Sequence, residues 1–167
     1  GSYVEVTAGV IKAGIQSEAS SGNRYPFYQK IEHPELLIGK TVVLSVQVKE
    51  KTSGNPRVAL RFAQSGGEFI SQSLTEVTGP GVFSVSAEVP ENTGELWAGV
   101  VYVANSTEND SVTLAAAKLE LGDTQTLAHQ DAEGNWVLSD APPNFGEDLL
   151  KCQRYQVVLE AYGGIYS

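Results

Sequence analysis

Alternation with a period of two residues, cut into short runs by turn sequences, is the feature that most constrains how this chain can fold. In Thr41 to Glu50, Val42, Leu44, Val46 and Val48 fall on one side, and Thr41, Ser45, Gln47 and Lys49 on the other. Because successive side chains of a strand point to opposite faces, this is a strand with one face in a core and one in water. Val58, Leu60 and Phe62 against Arg57 and Arg61 repeat the pattern, as do Phe83, Val85, Ala87 and Val89 against Ser84, Ser86 and Glu88. Val4, Val6 and Ala8 open the series. Leu96 to Val103 and Val112 to Leu121 are apolar on both sides over much of their length, as central strands covered on each face must be.

Turn signals separate the runs at Ser53-Gly54-Asn55-Pro56, Ser65-Gly66-Gly67, Gly79-Pro80-Gly81, Pro90 to Gly94 and Asn105 to Asp110. No long amphipathic helix is written before residue 123. About eight short strands with such turns predict an all-β fold, an antiparallel β-sandwich of jelly-roll and carbohydrate-binding-module type, with a closed barrel as the alternative. Residues 1–122 are expected to form this domain, and its core to contain Val42, Leu44, Val46, Val48, Val58, Leu60, Phe62, Phe83, Val85 and Val89. Residues 123–145, stiffened by Ala141-Pro142-Pro143, are expected to form a wrapping segment or linker and not a strand. In 146–167, Glu147 to Gln153 predict a short helix, and the alternation of Tyr155, Val157 and Leu159 the start of a further β element.

Charge and cysteine content remove several function classes. The formal charge of −9 leaves no basic surface for phosphate contacts, so nucleic acid and anionic membrane surfaces are not expected partners. Apolar runs such as Leu36-Leu37-Ile38 are far below the roughly 20 residues that span a bilayer. A single cysteine, Cys152, allows neither an internal disulfide nor a cysteine-based zinc cluster, and after Leu149-Leu150 it reads as core filler. Methionine is absent and Gly1-Ser2 has the form of a cloning scar, so a piece of a longer protein is expected.

Catalytic constellations are sparse. His33 and His129 lie in no GxSxG or HExxH setting, and read as solvated side chains. Glu91 with Glu95, and Glu108 with Asp110, are the carboxylate pairs a glycoside hydrolase could use, but both sit in turn sequences. Glu108, Asn109 and Asp110 supply oxygens that calcium favours, without DxDxDG spacing, so a solvated acidic loop is the simpler reading. No metal, no cofactor and no enzymatic activity are therefore expected. The Asn105-Ser106-Thr107 sequon bears on glycosylation only in a chain that enters a glycosylating pathway.

Aromatic residues carry the binding hypothesis, since sugar rings stack on Tyr and Trp while their hydroxyls bond to neighbouring polar groups. Arg24, Tyr25, Tyr28 and Gln29 combine both kinds in one stretch, and Trp97 and Tyr102 extend the candidate list. By parity Trp97 and Tyr102 point to opposite faces, so one of them can serve the core. Trp136, in the polar turn after Asp131-Ala132-Glu133-Gly134-Asn135, has a reason to be there if it packs back onto the sandwich.

Two motifs add a family. Lys118-Leu119-Glu120-Leu121-Gly122 and Glu147-Asp148-Leu149-Leu150-Lys151-Cys152-Gln153-Arg154-Tyr155 resemble the closing portion of a β-sandwich domain of bacteriophage and prophage tail fibres. There a strand ending in an LE-L-G pattern leaves the sandwich, a Pro-containing segment crosses its surface, and an EL--CQRY segment starts the next element. The resemblance implies a non-enzymatic module in a virion tail, binding a cell-surface glycan receptor or assembling the fibre tip. It also implies other tail-fibre chains as partners in a homotrimer, because threefold fibres protect their strand edges mutually. The alternatives are a carbohydrate-binding module of a secreted bacterial glycan-degrading enzyme, a purely structural spacer, and a depolymerase.

Overall fold

The computed structural model describes residues 2–7, 9–16, 22–103 and 107–139. The helix expected over Glu147 to Gln153, Cys152, and the alternation after Tyr155 lie outside the described residues. So do Ala141-Pro142-Pro143 and Asn105-Ser106 of the sequon.

Eleven strands are formed: β1 (Ser2–Thr7), β2 (Val10–Ile15), β3 (Arg24–Ile31), β4 (Thr41–Lys51), β5 (Pro56–Ala63), β6 (Phe69–Glu76), β7 (Gly81–Glu88), β8 (Glu95–Tyr102), β9 (Ser111–Leu121), β10 (Ala128–Gln130) and β11 (Trp136–Leu138). A single 3-10 turn, Pro34–Leu37, is the one helical element among the described residues. Every strand pair is antiparallel. One sheet runs in the order β1-β2-β9-β4-β7 and faces a second of order β3-β8-β5-β6. Without β1, this interleaving of eight strands in two four-stranded sheets is the jelly roll, the expected fold.

Between the sheets lie Val42, Leu44, Val46 and Val48 of β4, Val58, Leu60 and Phe62 of β5, and Leu96, Ala98 and Val100 of β8. Their period-2 spacing puts each set on the inner face, as read from the sequence. Val85 and Val89 are buried with them, and Phe83 packs against them half-buried. Truncating one of the larger residues, Leu60 for instance, would cost about 2–5 kcal/mol, because a close-packed core collapses only partly around a missing side chain.

Two expectations are corrected by the outer face of the five-stranded sheet. Ser45 is 0% exposed and Gln47 5%, although the alternation places them in water. Leu127 and Ala128 are buried as well, and Gln47 Nε2 donates to the carbonyl of Trp136 at 3.4 Å. The segment after Gly122 therefore folds back over β4, and it does so partly as the hairpin β10–β11 rather than as chain without strands. Trp136 does pack back onto the sandwich, beside Gly81 of β7. β9 ends at Leu121, and Gly122, at φ 108, turns the chain out of the sheet where a residue with a Cβ would be strained.

Candidate functional site

The outer face of the four-stranded sheet carries the aromatic residues, and a bulge in its edge strand brings them together. β3 pairs β8 as Phe27↔Val100, Tyr28↔Gly99, Gln29↔Ala98, Lys30↔Trp97 and Ile31↔Leu96, but Arg24 pairs Tyr102. From Arg24 to Phe27 the chain takes three steps on β3 against two on β8, so one extra residue is inserted. Tyr25 and Tyr28, which a regular strand would place on opposite faces, come to share the outer one. Pro26 lies inside the irregularity and is buried; having no N–H to give a ladder, proline is tolerated at a bulge of an edge strand.

Tyr28 stacks on Trp97 with ring centroids 4.6 Å apart and planes 7° from parallel. Tyr25 meets both rings edge-on, 6.4 Å from Tyr28 and 6.3 Å from Trp97. Being equidistant from the two parallel rings, Tyr25 sits at their common edge and leaves the outward face of Tyr28 uncovered. Its hydroxyl accepts a hydrogen bond from Gln72 Nε2 of β6 at 2.8 Å, so this side chain reaches across the sheet. Gly99 and Ala59, small and buried in the row between Tyr28 and Leu74, make room for that crossing.

On its other side Trp97 meets Arg61 of β5, whose guanidinium carbon is 4.8 Å from the indole centroid and 5.7 Å from the ring of Phe69. Tyr28, Trp97, Arg61 and Phe69 thus form a row across all four strands. Aromatic pairs contribute about 0.5–1.5 kcal/mol beyond burial and cation–π contacts about 0.5–1 at exposed sites, so the row holds itself in place. Both faces of the indole are used, and the open aromatic surfaces are those of Tyr28, 46% exposed, and Phe69, 58% exposed.

Glu95 anchors the row's polar side. Its Oε1 pairs with Lys30 Nζ at 2.8 Å, and its Oε2 accepts from Trp97 Nε1 at 3.3 Å. The Lys30 hydrogen bond, foremost, holds the Glu95 carboxyl below the usual carboxylate range. Lys30 also borders a broad depression with Ile31, His33, Glu35 and Gly94.

The remaining candidates lie elsewhere. Tyr102 is 0% exposed, on the inner side of β8, and burial pushes its phenol pKa upward. It belongs with the interior, as parity with Trp97 allowed. Gln29 shares the inward phase of Phe27 and Ile31 and lines a cleft of about 90 Å³ between the sheets with Leu44, Val46 and Leu119. Arg24, at the end of the strand, bonds to the Asn23 carbonyl at 3.5 Å. Arg61, Phe69 and Lys30 were not among the sequence candidates, and Glu95 was one only as half of a carboxylate pair; the outward phase of Arg61 opposite Trp97 is the signal that could have found it.

Several of the residues read as catalytic or metal candidates make contacts within the fold. Glu95 is bound to Lys30 Nζ and Trp97 Nε1. Asp110 is not a solvated loop residue. It is buried and accepts hydrogen bonds from Thr107 N at 2.8 Å, Thr107 Oγ1 at 3.0 Å and the Ser53 hydroxyl, closing the turn before β9. Among the described residues no group of three or more His, Cys, Asp or Glu is placed to hold a metal. His33 and His129 are exposed, beside Glu35 and Ser139. No helix of the described residues is long and apolar enough to cross a membrane.

No family model matches the chain, and no curated protein matches it by sequence. Among solved structures it is similar to the glycosylation-associated protein (Gap123) complex of Streptococcus agalactiae, at 12% identity and TM-score 0.49, over 80% of this chain and 43% of that one. Accessory secretory proteins 1, 2 and 3 of Streptococcus pneumoniae give 10% identity and TM-score 0.47, over 74% and 87%. The enzymatically active domain of tailspike protein 4 of bacteriophage CBA120 gives 12% and 0.48, over 71% and 18%. Likeness at this level describes a β-sandwich and nothing finer. The expected place in a virion tail is corrected: two of these three structures are streptococcal, from glycosylation-associated and accessory secretory proteins, and the chain is not assigned to a virion.

Proposed function

We propose that this jelly roll is a non-catalytic binding module, and that the outer face of its four-stranded sheet takes a glycan, in the manner of the carbohydrate-binding modules of secreted bacterial glycan-active proteins. The uncovered face of Tyr28 carries the reading. Trp97 holds that ring flat from behind, so a sugar can stack on it without first ordering a mobile side chain, which removes part of the entropic cost of binding. Lys30 and Glu95 beside it offer a donor and an acceptor to sugar hydroxyls.

A glycan array on the intact chain, followed by calorimetry with Tyr28→Ala, tests this. Loss of a stacking aromatic is expected to weaken binding by about 1–3 kcal/mol with little loss of fold stability, because Tyr28 is exposed. Absence of any glycan ligand, or unchanged affinity in the variant, would overturn it. The exposure of Phe69 and Leu74 on the same face favours a second reading, a protein partner docked on an apolar surface. Leu74→Ala would then weaken capture of that partner while glycan affinity stays intact.

A further inference from the structure

We infer that the glycan this face takes is acidic, with a carboxylate-bearing sugar seated against Arg61. The inference rests on the reading of the face as a glycan site. The chain as a whole is acidic, with 20 Asp and Glu against 11 Lys and Arg. Yet the two residues in register with Trp97 on either side are both cations, Lys30 on β3 and Arg61 on β5. Their electrostatic situations differ. The charge of Lys30 is answered by Glu95 at 2.8 Å. Arg61 makes no ion pair among the described residues, and its neighbours in the row are the rings of Trp97 and Phe69, 4.8 Å and 5.7 Å from its guanidinium carbon.

A guanidinium is planar and carries its N–H groups in that plane. Those groups form the fork that accepts a carboxylate through two parallel hydrogen bonds. Contact with the two rings restricts the side chain beforehand, so less side-chain entropy is lost when an anion arrives. Glu95, the carboxylate nearest the row, feels the charge of Arg61 at longer range, but its oxygens are bonded to Lys30 and Trp97 Nε1 and it forms no ion pair with Arg61. A sugar on the open face of Tyr28 and a carboxylate on Arg61 lie on opposite sides of one indole, 4.6 Å and 4.8 Å from its centroid, and adjacent units of one oligosaccharide can satisfy both.

The test compares each acidic oligosaccharide with its own methyl ester, which keeps the ring and the linkage and removes only the charge. Oligogalacturonides and hyaluronan fragments are titrated into the intact chain, alongside neutral cello- and chito-oligosaccharides. The wild-type chain is expected to bind at least one acid about 10- to 100-fold tighter than its ester, the range of a charge-assisted hydrogen-bonded pair. Arg61→Gln should abolish that preference, and Arg61→Lys should restore only part of it, since an ammonium lacks the fork. Thermal melting of both variants establishes that the sandwich is intact. Equal affinity for acid and ester, a preference that survives in Arg61→Gln, or binding confined to the neutral oligosaccharides overturns the acidic assignment and leaves the glycan reading standing. No binding across the whole panel, and none on the array, overturns both.

Discussion

At the scale of single residues, the site depends on Gly99 as much as on its rings. A Cβ there would fall 2.5 Å from Tyr28 Cα and 2.8 Å from Tyr28 Cβ, and against the Phe27 carbonyl. These neighbours are mostly backbone and cannot swing away, so Gly99→Ala must push β3 outward. We expect a loss of about 1–3 kcal/mol, the usual cost of overpacking, in urea unfolding, together with a change in the near-ultraviolet circular dichroism of the Tyr28–Trp97 stack. An unchanged midpoint would mean that β3 is held more loosely than its pairing with β8 requires. Tyr28 and Trp97 were legible in the sequence as candidates, and the opposite facing of Trp97 and Tyr102 followed from counting. The meeting of Tyr25 with Tyr28 was not legible, because strict alternation puts residues three apart on opposite faces and nothing in Arg24-Tyr25-Pro26-Phe27-Tyr28 states that the register slips there.

At the scale of elements, strands with a strong apolar signal were read well: β4, β5 and β7 lie within two residues of their runs of alternation, and β8 and β9 within one of their runs apolar on both faces. β3 and β6 escaped because edge strands half in water mix polar and aromatic residues, as Phe-Ile-Ser-Gln-Ser-Leu-Thr-Glu of β6 does. The hairpin β10–β11 escaped because each of its strands has three residues, too few to show a period. Its turn is instead organised by Asp131, whose Oδ1 accepts from Asn135 N at 2.8 Å and Glu133 N at 3.0 Å. The Asn135 backbone bond, foremost, holds the Asp131 carboxyl below the usual range. A depressed carboxyl stabilises the fold above its unfolded pKa of about 3.9, and that contribution fades as pH falls through the folded value. Asp131→Asn keeps an acceptor and loses the charge. Melting temperatures of the two chains should therefore differ at neutral pH and converge as pH drops below about 3.9. A gap that persists undiminished into acid would show that the charge of Asp131 is not what the turn uses.

At the scale of the whole molecule, the question is whether the segment after Gly122 is part of the jelly roll or an appendage to it. Residues 123–139 cover the outer side of β4, burying Val43, Ser45 and Gln47, and the Gln47–Trp136 hydrogen bond joins positions 89 apart in the chain. Removing that cover would expose the apolar Val43 with Ser45 and Gln47, and would take from Gln47 its partner, the carbonyl of Trp136 in β11, although Ser45 Oγ would keep the carbonyl of Lys118 in β9. Losing a buried hydrogen bond and apolar contact at once makes partial unfolding costly, so the hairpin and the sandwich should unfold in one step. The two tryptophans report on the two regions separately, Trp97 on the four-stranded sheet and Trp136 on the hairpin. Single-tryptophan chains, Trp136→Phe and Trp97→Phe, are expected to give coincident urea transitions once each is referred to its own circular dichroism midpoint. A transition of Trp136 fluorescence that precedes the loss of β-sheet signal would instead make residues 123–139 a separable cover, and would place the end of the cooperative unit at Gly122, where the strand pattern of the sequence also stops.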